Sequence, residues 1–153
     1  MPRITQVGRV MVPVSDQDEA IAFYTSKLGF SLVADVPFGE GERWVEVAPP
    51  GGGTALALVP PQGDYQPGRM TGIAFASADP RADHAELKGK GVDVDAELMG
   101  GDGTVPLLFF FRDHDANQLM IVEDRQTRRG RGVRAAAPSR GRPRARRSRA
   151  DSA

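Results

Sequence analysis

Cysteine is absent from this chain of 153 residues. Disulfide bonds, thiolate zinc sites and cysteine nucleophiles are therefore excluded together. Long apolar runs are missing as well, since no stretch approaches the roughly 20 residues of a membrane-spanning helix. The opening residues, MPRITQVGRV, lack the apolar stretch of a secretory leader. These absences lead us to expect a cytoplasmic protein with no membrane partner.

Net charge is also absent, although the charges themselves are unevenly distributed. The chain is 40% hydrophobic and 26% charged, which suits one domain with a substantial core. Residues 1–124 hold nine Lys and Arg against 19 Asp and Glu, a balance of −10. Residues 125–153 hold 11 Arg and one Asp, a balance of +10. The pattern predicts an acidic domain joined to a basic tail.

The predicted tail, 125–153, has one Val as its only large apolar residue. We expect it to be disordered, because it cannot bury enough apolar surface to offset the entropy of ordering. Its arginines could bind nucleic acid or another polyanion by neutralising phosphates. The absence of aromatic residues between them disfavours that role. The alternatives are a solvated tail lying loosely over its own acidic domain, or an extension without a function.

The first 124 residues contain an internal repeat. RVMVPVSDQDEAIAFYTSKLGFSL at 9–32 aligns with GIAFASADPRADHAELKGKGVDV at 72–94. The separation is 63 in the strand and helix and becomes 62 at the turn into the next strand, where Gly29 matches Gly91. Each copy reads as strand, acidic cap, amphipathic helix, glycine and strand, and each is followed by more strand-like segments. The sequence predicts an α+β fold of two βαβββ modules within a domain spanning 1–124. Module one covers 4–60, a Pro- and Gly-rich linker covers 60–70, and module two covers 71–124.

The helices carry recognisable start signals and apolar stripes. Asp16 or Asp18 is the expected N-cap of the first helix, and Asp79 caps the second, with Pro80 at the first helical position. Neither histidine, His84 nor His114, has a second histidine at ligand spacing, and we expect both at the surface. The expected inward positions are Ala20, Ile21, Phe23, Tyr24 and Leu28 in the first helix, and Ala82, Ala85 and Leu87 in the second.

The opening VMVPVSDQDEAIAFYTSKLGF and the closing FRDHDANQLMIVE resemble the vicinal oxygen chelate superfamily over residues 4–124. This group includes glyoxalases, extradiol dioxygenases, and fosfomycin- and bleomycin-resistance proteins. The resemblance implies two modules whose sheets curl into a cup, usually within a homodimer. The closing turn, RDHDAN, departs from the usual Asp-Pro-Asp-Gly-Asn of the family. Ala116 stands where the family has glycine, so a positive φ there would cost roughly 1 kcal/mol.

In metal-dependent members the resemblance implies one metal ligand from each of four strands. The matching positions here are Arg9, Ala57, Gly72 and Met120. Divalent metals bound by such sites prefer imidazole and carboxylate groups, which none of these residues supplies. Arg9 would also oppose a cation through its fixed charge. We therefore expect no metal cofactor, with a divalent metal held by other carboxylates as the alternative.

Strand alternation divides the predicted sheets into a bulky aliphatic face under the helices and a face of small, mostly apolar residues. The second face leaves room for a ligand. Three residues are singled out as candidates for ligand contact. Arg9 could clamp an anionic group, and Trp44 beside Glu46 could stack on and hydrogen-bond to a flat or cationic ligand. The full set of candidate ligand-binding residues is Arg9, Met11, Trp44, Glu46, Ala57, Gly72, Ala74, Phe109, Phe111 and Met120.

Each of these residues also has a plain structural interpretation. Arg9 can lie over its strand with its head in solvent, Trp44 can be core or dimer interface, and the phenylalanines of LLFFF can be core. We therefore keep three functional hypotheses. The first is a metal-independent binding protein similar to bleomycin-resistance proteins, and the second is a glyoxalase-like lyase, isomerase or dioxygenase using Glu46, Glu42 or Glu123. Glu46 is the weak catalytic candidate of that second hypothesis. The third is an interaction module acting through the arginine tail.

Overall fold

The computed structural model describes residues 1–124, and the predicted tail lies outside the described residues. It contains two four-stranded sheets with strand orders β1-β4-β3-β2 and β5-β8-β7-β6. In each sheet the first and last strands along the chain pair in parallel, and the other pairs are antiparallel. The predicted α+β fold of two βαβββ units is confirmed. The strands are β1 (Arg9–Pro13), β2 (Ser31–Phe38), β3 (Glu42–Ala48), β4 (Ala55–Val59), β5 (Met70–Ser77), β6 (Asp93–Val94), β7 (Leu108–Arg112) and β8 (Gln118–Glu123).

The two helices begin at the residues that the caps predict. Helix α1 (Gln17–Ala22) continues as a π-helix over Phe23–Lys27, and helix α2 spans Pro80–Gly89. Asp16 is the cap of α1, because its carboxylate accepts a hydrogen bond from the backbone N–H of Glu19 at 2.9 Å. Asp79 accepts one from Ala82 at 3.2 Å. These bonds satisfy backbone N–H groups that have no partner within the helix.

A glycine follows each helix and turns the chain into the next strand. Gly29 has φ 71° and Gly91 has φ 78°. Side chains disfavour this left-handed conformation, and glycine adopts it without a steric cost. The helix–glycine–strand order of both repeats therefore has the same cause.

The core lies between the sheets and the helices. The first sheet and α1 form one buried cluster, and the second sheet and α2 form another. Phe23, Leu28, Ile73 and Phe75 pack against both clusters, so the core is continuous. Strand alternation predicts a bulky aliphatic face under the helices, and most of its residues are buried: Val12, Val14, Leu56 and Leu58 in the first sheet, and Leu119 and Ile121 in the second. Three others predicted for this face, Val10, Ile73 and Phe75, are half-buried.

A buried polar cluster joins the two halves of the fold. The Tyr24 hydroxyl donates to the Asp113 carboxylate at 2.9 Å, and the Asn117 side-chain amide donates to Asp113 at 3.0 Å and to the Pro13 carbonyl at 2.9 Å. Asn117 and Asp113 are buried. Polar groups at this depth need such partners, because an unpaired one costs about 1–3 kcal/mol.

The inward face of α2 differs from the prediction. Ala82 and Ala85 are exposed, and the buried residues of the helix are Pro80, His84 and Leu87. These three stand at positions i, i+4 and i+7, which is the helical period. The helix therefore buries the stripe that the period dictates, and that stripe includes a histidine.

The expectation that both histidines lie at the surface is wrong. His84 is 9% exposed, and its Nε2 lies 2.6 Å from the Asp95 carbonyl oxygen. Its ring packs edge-on against that of Phe109, with the two ring centroids 5.0 Å apart. His114 is half-buried, with its ring centroid 5.8 Å from that of Phe23. An aromatic neighbour and, for His84, a backbone acceptor account for these positions.

Two apolar segments form less strand than their residues favour. The opening strand begins at Arg9, and the apolar residues before it, Ile4 and Val7, are exposed. In the segment VDVDAEL at 92–98, whose alternation favours a strand, only Asp93–Val94 (β6) joins the sheet, and Met99 then forms a bridge with Leu108 of β7. Within residues 1–124, neither helix is long and apolar enough to cross a bilayer.

Candidate functional site

The face of the first sheet that points away from α1 carries five of the ten candidate ligand-binding residues, and we name it the open face. It consists of Arg9, Met11, Ala34, Val36, Phe38, Glu42, Trp44, Glu46, Ala55 and Ala57. Met11 is paired with Ala57, Ala57 with Glu46, and Glu46 with Ala34. These four side chains therefore form one row across all four strands.

An ion pair between Arg9 and Glu46 lies at the centre of the open face. Arg9 Nε contacts Glu46 Oε1, although the two residues are on strands separated by β4. The side chain of Glu46 is 7% exposed and that of Arg9 is 61% exposed. The intervening β4 residues, Ala55 and Ala57, are small, which lets the arginine reach across. A buried carboxylate needs this kind of partner, because an uncompensated buried charge is strongly destabilising.

Apolar side chains flank the ion pair. Trp44 is half-buried and shares the face of Glu46, two residues along β3. Its ring centroid lies 6.0 Å from that of Phe38, and Val36 is its partner on β2. Met11, Val36 and Phe38 are 54%, 50% and 57% exposed. A group of large apolar side chains left open in this way is typical of a binding surface.

The segment between the two sheets also contributes to this region. The hydroxyl of Tyr65 donates a hydrogen bond to the backbone carbonyl of Met11, at the free edge of β1. Burial raises the pKa of the Tyr65 hydroxyl above its usual value. Sequence reasoning treated this segment only as a linker and missed Tyr65.

The second sheet repeats the arrangement in part. Ala74 is paired with Met120, as Met11 is paired with Ala57, and both pairs are related by the separation of 63. Gly72 breaks the equivalence, because its φ of 74° accompanies a shift in register between Met70 and Ala74. As a result Met70, not Gly72, is paired with Gln118. The sequence alignment alone gave no signal of this irregularity.

The structure does not bring Phe109 and Phe111 together with the other candidates. Both have no exposed surface and lie in the core under α2. Phe110 lies on the other side of β7, where it is paired with Met120 and is half-buried. Strand alternation within LLFFF carries this information once the core face of β7 is known. The ten candidates thus fall on the first sheet (Arg9, Met11, Trp44, Glu46, Ala57), on the outer side of the second (Gly72, Ala74, Met120) and in the core (Phe109, Phe111).

The residues at the family's metal-ligand positions do not fit a divalent cation. Arg9 brings a guanidinium to one of them, and Ala57, Gly72 and Met120 supply no oxygen or imidazole nitrogen from their side chains. Glu46, which is paired with Ala57 on the neighbouring strand, already contacts Arg9. Within residues 1–124, no three His, Asp or Glu side chains are grouped so as to hold a metal ion.

A cavity of about 300 Å³ lies away from the open face, between the two halves of the fold. Phe30, Phe75 and Phe111 form part of its apolar lining, and its charged lining residues already have partners within the fold. Lys27 donates to the carbonyl of Lys90, Lys90 also pairs with Glu86, and Asp83 accepts from Ser77. No free charged group is therefore directed at a ligand there.

Comparisons with known proteins identify the family of this chain. A sequence model described as the glyoxalase/bleomycin resistance protein/dioxygenase superfamily matches residues 6–121. Protein YetH of Bacillus subtilis (strain 168) is 34% identical over 125 residues, which are 78% of this chain and 99% of that protein.

Solved structures of similar proteins include two with substantial identity. TnmS3, an antibiotic binding protein from Streptomyces sp. CB03234, is 36% identical with a TM-score of 0.70, covering 80% of this chain and 98% of that one. A superfamily member from Sphaerobacter thermophilus DSM 20745 is 33% identical with a TM-score of 0.74, covering 79% and 98%. The repeated βαβββ units, the sequence match over 6–121 and these two structures lead to one conclusion: this chain belongs to the glyoxalase/bleomycin resistance protein/dioxygenase superfamily.

Proposed function

We propose that this protein binds and sequesters a small organic molecule on the open face, without the help of a metal ion. The observation that carries the proposal is the contact between Arg9 and the buried carboxylate of Glu46. It puts a fixed positive charge where metal-dependent relatives, by the resemblance, hold a cation. A charge of the same sign within a few ångströms of a divalent ion opposes its binding.

The apolar surroundings of the ion pair support a ligand that is organic and partly flat. Trp44, Phe38, Val36 and Met11 provide apolar surface on both sides of the polar centre. Concave sites for small molecules combine a mostly apolar lining with a few polar groups that fix orientation. TnmS3, whose chain is 36% identical, is an antibiotic binding protein. We carry that role over only as a class, namely non-covalent binding of a small molecule.

We further propose that a second copy of the chain closes the open face. Several large apolar side chains there are about half exposed in a single chain. Covering them with a partner would remove apolar surface from water at roughly 25 cal/mol per Å². In this arrangement the ligand lies between the open face of one copy and the surface of the other.

Metal content and ligand stabilisation, measured on one purified sample, test the proposal. We expect less than stoichiometric Zn, Mn, Fe and Ni by mass spectrometry after dialysis. We also expect at least one compound of a small-molecule library to raise the melting temperature, since a ligand that binds only the native state stabilises it. That shift should survive EDTA and be lost when Trp44→Ala removes the aromatic wall. A tightly held stoichiometric metal, or a shift that EDTA abolishes, would contradict metal-independent binding.

Chain association is tested separately, by light scattering on a sizing column. We expect a dimer for the native chain and a monomer for Met11→Asp, which puts a charge on the open face. Val7→Asp, an exposed position outside the sheet, is the matched control and should remain dimeric. A native monomer would contradict the second-copy proposal and leave metal-free binding in place.

A further inference from the structure

We infer that the ligand is a planar aromatic acid, that Arg9 binds its acid group, and that Glu46 is the residue that positions Arg9. The inference rests on the proposed function, since it names the class of molecule that the open face would take. It chooses between an anionic and a cationic ligand, which the sequence left open.

The orientation of the Arg9 guanidinium is the first step. Arg9 contacts Glu46 through its Nε nitrogen. The edge formed by the two Nη nitrogens is then directed away from the carboxylate, on a side chain that is 61% exposed. Two parallel N–H groups on one planar edge match the two oxygens of a carboxylate, which a lysine ammonium does not reproduce.

The state of Glu46 argues against a cationic ligand. Its side chain is 7% exposed, and its charge is already balanced by Arg9. A cation would have to displace the guanidinium from this contact and then remain beside it, with like charges close together. Glu46 therefore fixes the arginine through Nε and is not itself available to the ligand. The other carboxylate of the open face, Glu42, is solvent-exposed at the start of β3, where an ion pair contributes little.

The neighbouring arginine does not compete for an acid group. Arg43 precedes Trp44 in β3 and points to the opposite side of the sheet, where it pairs with Asp18 at 2.9 Å and Asp35 at 2.8 Å. Two carboxylates satisfy that guanidinium. Arg9 is thus the arginine that the first sheet presents to a ligand on its open face.

The aromatic pair sets the shape of the ligand. The rings of Trp44 and Phe38 are inclined at 54° with their centroids 6.0 Å apart, and Glu46 lies two residues along the strand from Trp44. A flat ring that rests on this apolar wall extends toward Arg9. Stacking on aromatic side chains favours rings over aliphatic chains of the same volume.

The single tryptophan of the chain gives a direct test. Its indole N–H yields one resonance in a nitrogen-15 correlation spectrum, and this resonance reports on the open face. We would titrate three probes of similar size that share the naphthalene ring, namely naphthoate, naphthamide and naphthylmethylammonium. We expect naphthoate to shift the resonance with a Kd of about 1 mM or tighter, as suits a fragment of this size. The amide and the ammonium should bind at least about tenfold more weakly.

Variants assign the effect to Arg9. Arg9→Lys keeps the positive charge but loses the planar guanidinium edge. This variant should bind naphthoate at least about tenfold more weakly. Because Arg9→Met alone would leave Glu46 unpaired, the double variant Arg9→Met/Glu46→Gln removes both charges together, and it should lose the preference for the acid. Glu46→Gln retains an oxygen acceptor for Nε and should still bind naphthoate. Arg81→Met, on the exposed side of α2, is the control and should change nothing.

Each contrary outcome has a distinct meaning. Equal binding of naphthamide and naphthoate would overturn the acid assignment while leaving metal-free binding intact. Preferential binding of the ammonium, lost in Glu46→Gln, would overturn it in favour of the cationic ligand. No shift from any of the three probes would contradict both the acid assignment and ligand binding at the open face.

Discussion

Lys27 and Lys90 each donate a hydrogen bond to the backbone carbonyl oxygen of the other. Lys27 Nζ lies 2.7 Å from the Lys90 oxygen, and Lys90 Nζ lies 3.3 Å from the Lys27 oxygen. The two residues are 63 positions apart, the separation of the internal repeat. Carbonyl groups at the ends of helices lack partners within the helix, and a nearby lysine can supply one. The duplication thus provides a symmetric contact between the ends of the two helices.

We expect Lys27→Met and Lys90→Met each to lower the free energy of unfolding by about 0.5–1 kcal/mol, since these bonds are partly exposed. Loss of one hydrogen bond lets the two helix ends move apart and weakens the other bond. The free energy of unfolding of the double variant should therefore fall by less than the sum of the two single losses. Urea denaturation of the four proteins in a double-mutant cycle measures this coupling. Strict additivity would show that the two bonds act independently.

A second prediction concerns the turn between β7 and β8. Ala116 has a φ of 58°, and it is the only residue other than glycine within 1–124 with a positive φ. Ala116, which stands where the family has glycine, thus adopts the left-handed backbone conformation that side chains disfavour. Ala116→Gly should raise the free energy of unfolding by up to about 1 kcal/mol, because relief of strain exceeds the added freedom of the unfolded chain.

The control for that substitution is Ala96→Gly, at an exposed position without a positive φ. It should lower stability by about 0.4–1 kcal/mol through the unfolded state. Opposite signs for the two variants in urea denaturation would assign the gain to the turn. Destabilisation by both would count against strain at Ala116.

The buried Tyr24 gives a pH-dependent prediction. Burial, and next the nearby Asp113 carboxylate, raise the pKa of the Tyr24 hydroxyl well above its usual value. In the unfolded chain the group ionises near pH 10. Above about pH 10 the unfolded state therefore holds fewer protons than the native state, and stability falls by about 1.4 kcal/mol per pH unit until the native pKa is reached. Below about pH 10 this contribution is fully present.

Tyr24→Phe isolates the effect, because phenylalanine keeps the ring and cannot ionise. Near pH 8 we expect the native chain to be more stable than the variant by about 1–2 kcal/mol, the value of the hydrogen bond to Asp113. Near pH 11 the difference should shrink by about 1 kcal/mol. Urea denaturation at both pH values measures it, and a constant difference would show that the native hydroxyl ionises as readily as the unfolded one.

The three consecutive phenylalanines give the last prediction. Phe111 has no exposed surface, whereas Phe110 is half-buried on the outer side of β7. Phe111→Ala should lower the free energy of unfolding by about 3–5 kcal/mol, because it leaves a cavity in the core. Phe110→Ala should lower the free energy of unfolding by clearly less. Thermal and urea denaturation compare the two. Similar losses would indicate that Phe110 is as well packed as its neighbour.

Much of the fold could be predicted from local pattern. The caps at Asp16 and Asp79 depend on side chains that bond to the backbone three residues away, which sequence spacing reveals directly. The assignment of Val12, Leu56 and Leu119 to the core depends on the strand period of two. Such features involve neighbours along the chain and therefore leave a mark in the sequence.

The errors arose where a distant residue decides the environment. His84 is buried because the ring of Phe109 and the carbonyl of Asp95 meet it, and polarity alone had placed it at the surface. Gly72 was aligned with Arg9 by the repeat, but the register shift in β5 removes the equivalence. Residue type and spacing carry no information about such partners.

Local pattern is enough to specify the duplicated βαβββ order, the helix starts and the two faces of each strand, because propensity, capping and periodicity act over a few residues. The contact between Arg9 and Glu46, 37 positions apart, and the pairing of Phe110 with Met120 follow instead from the three-dimensional arrangement of the strands. Strand order and register bring together residues far apart in the chain, and the charge and shape of the open face depend on those pairings.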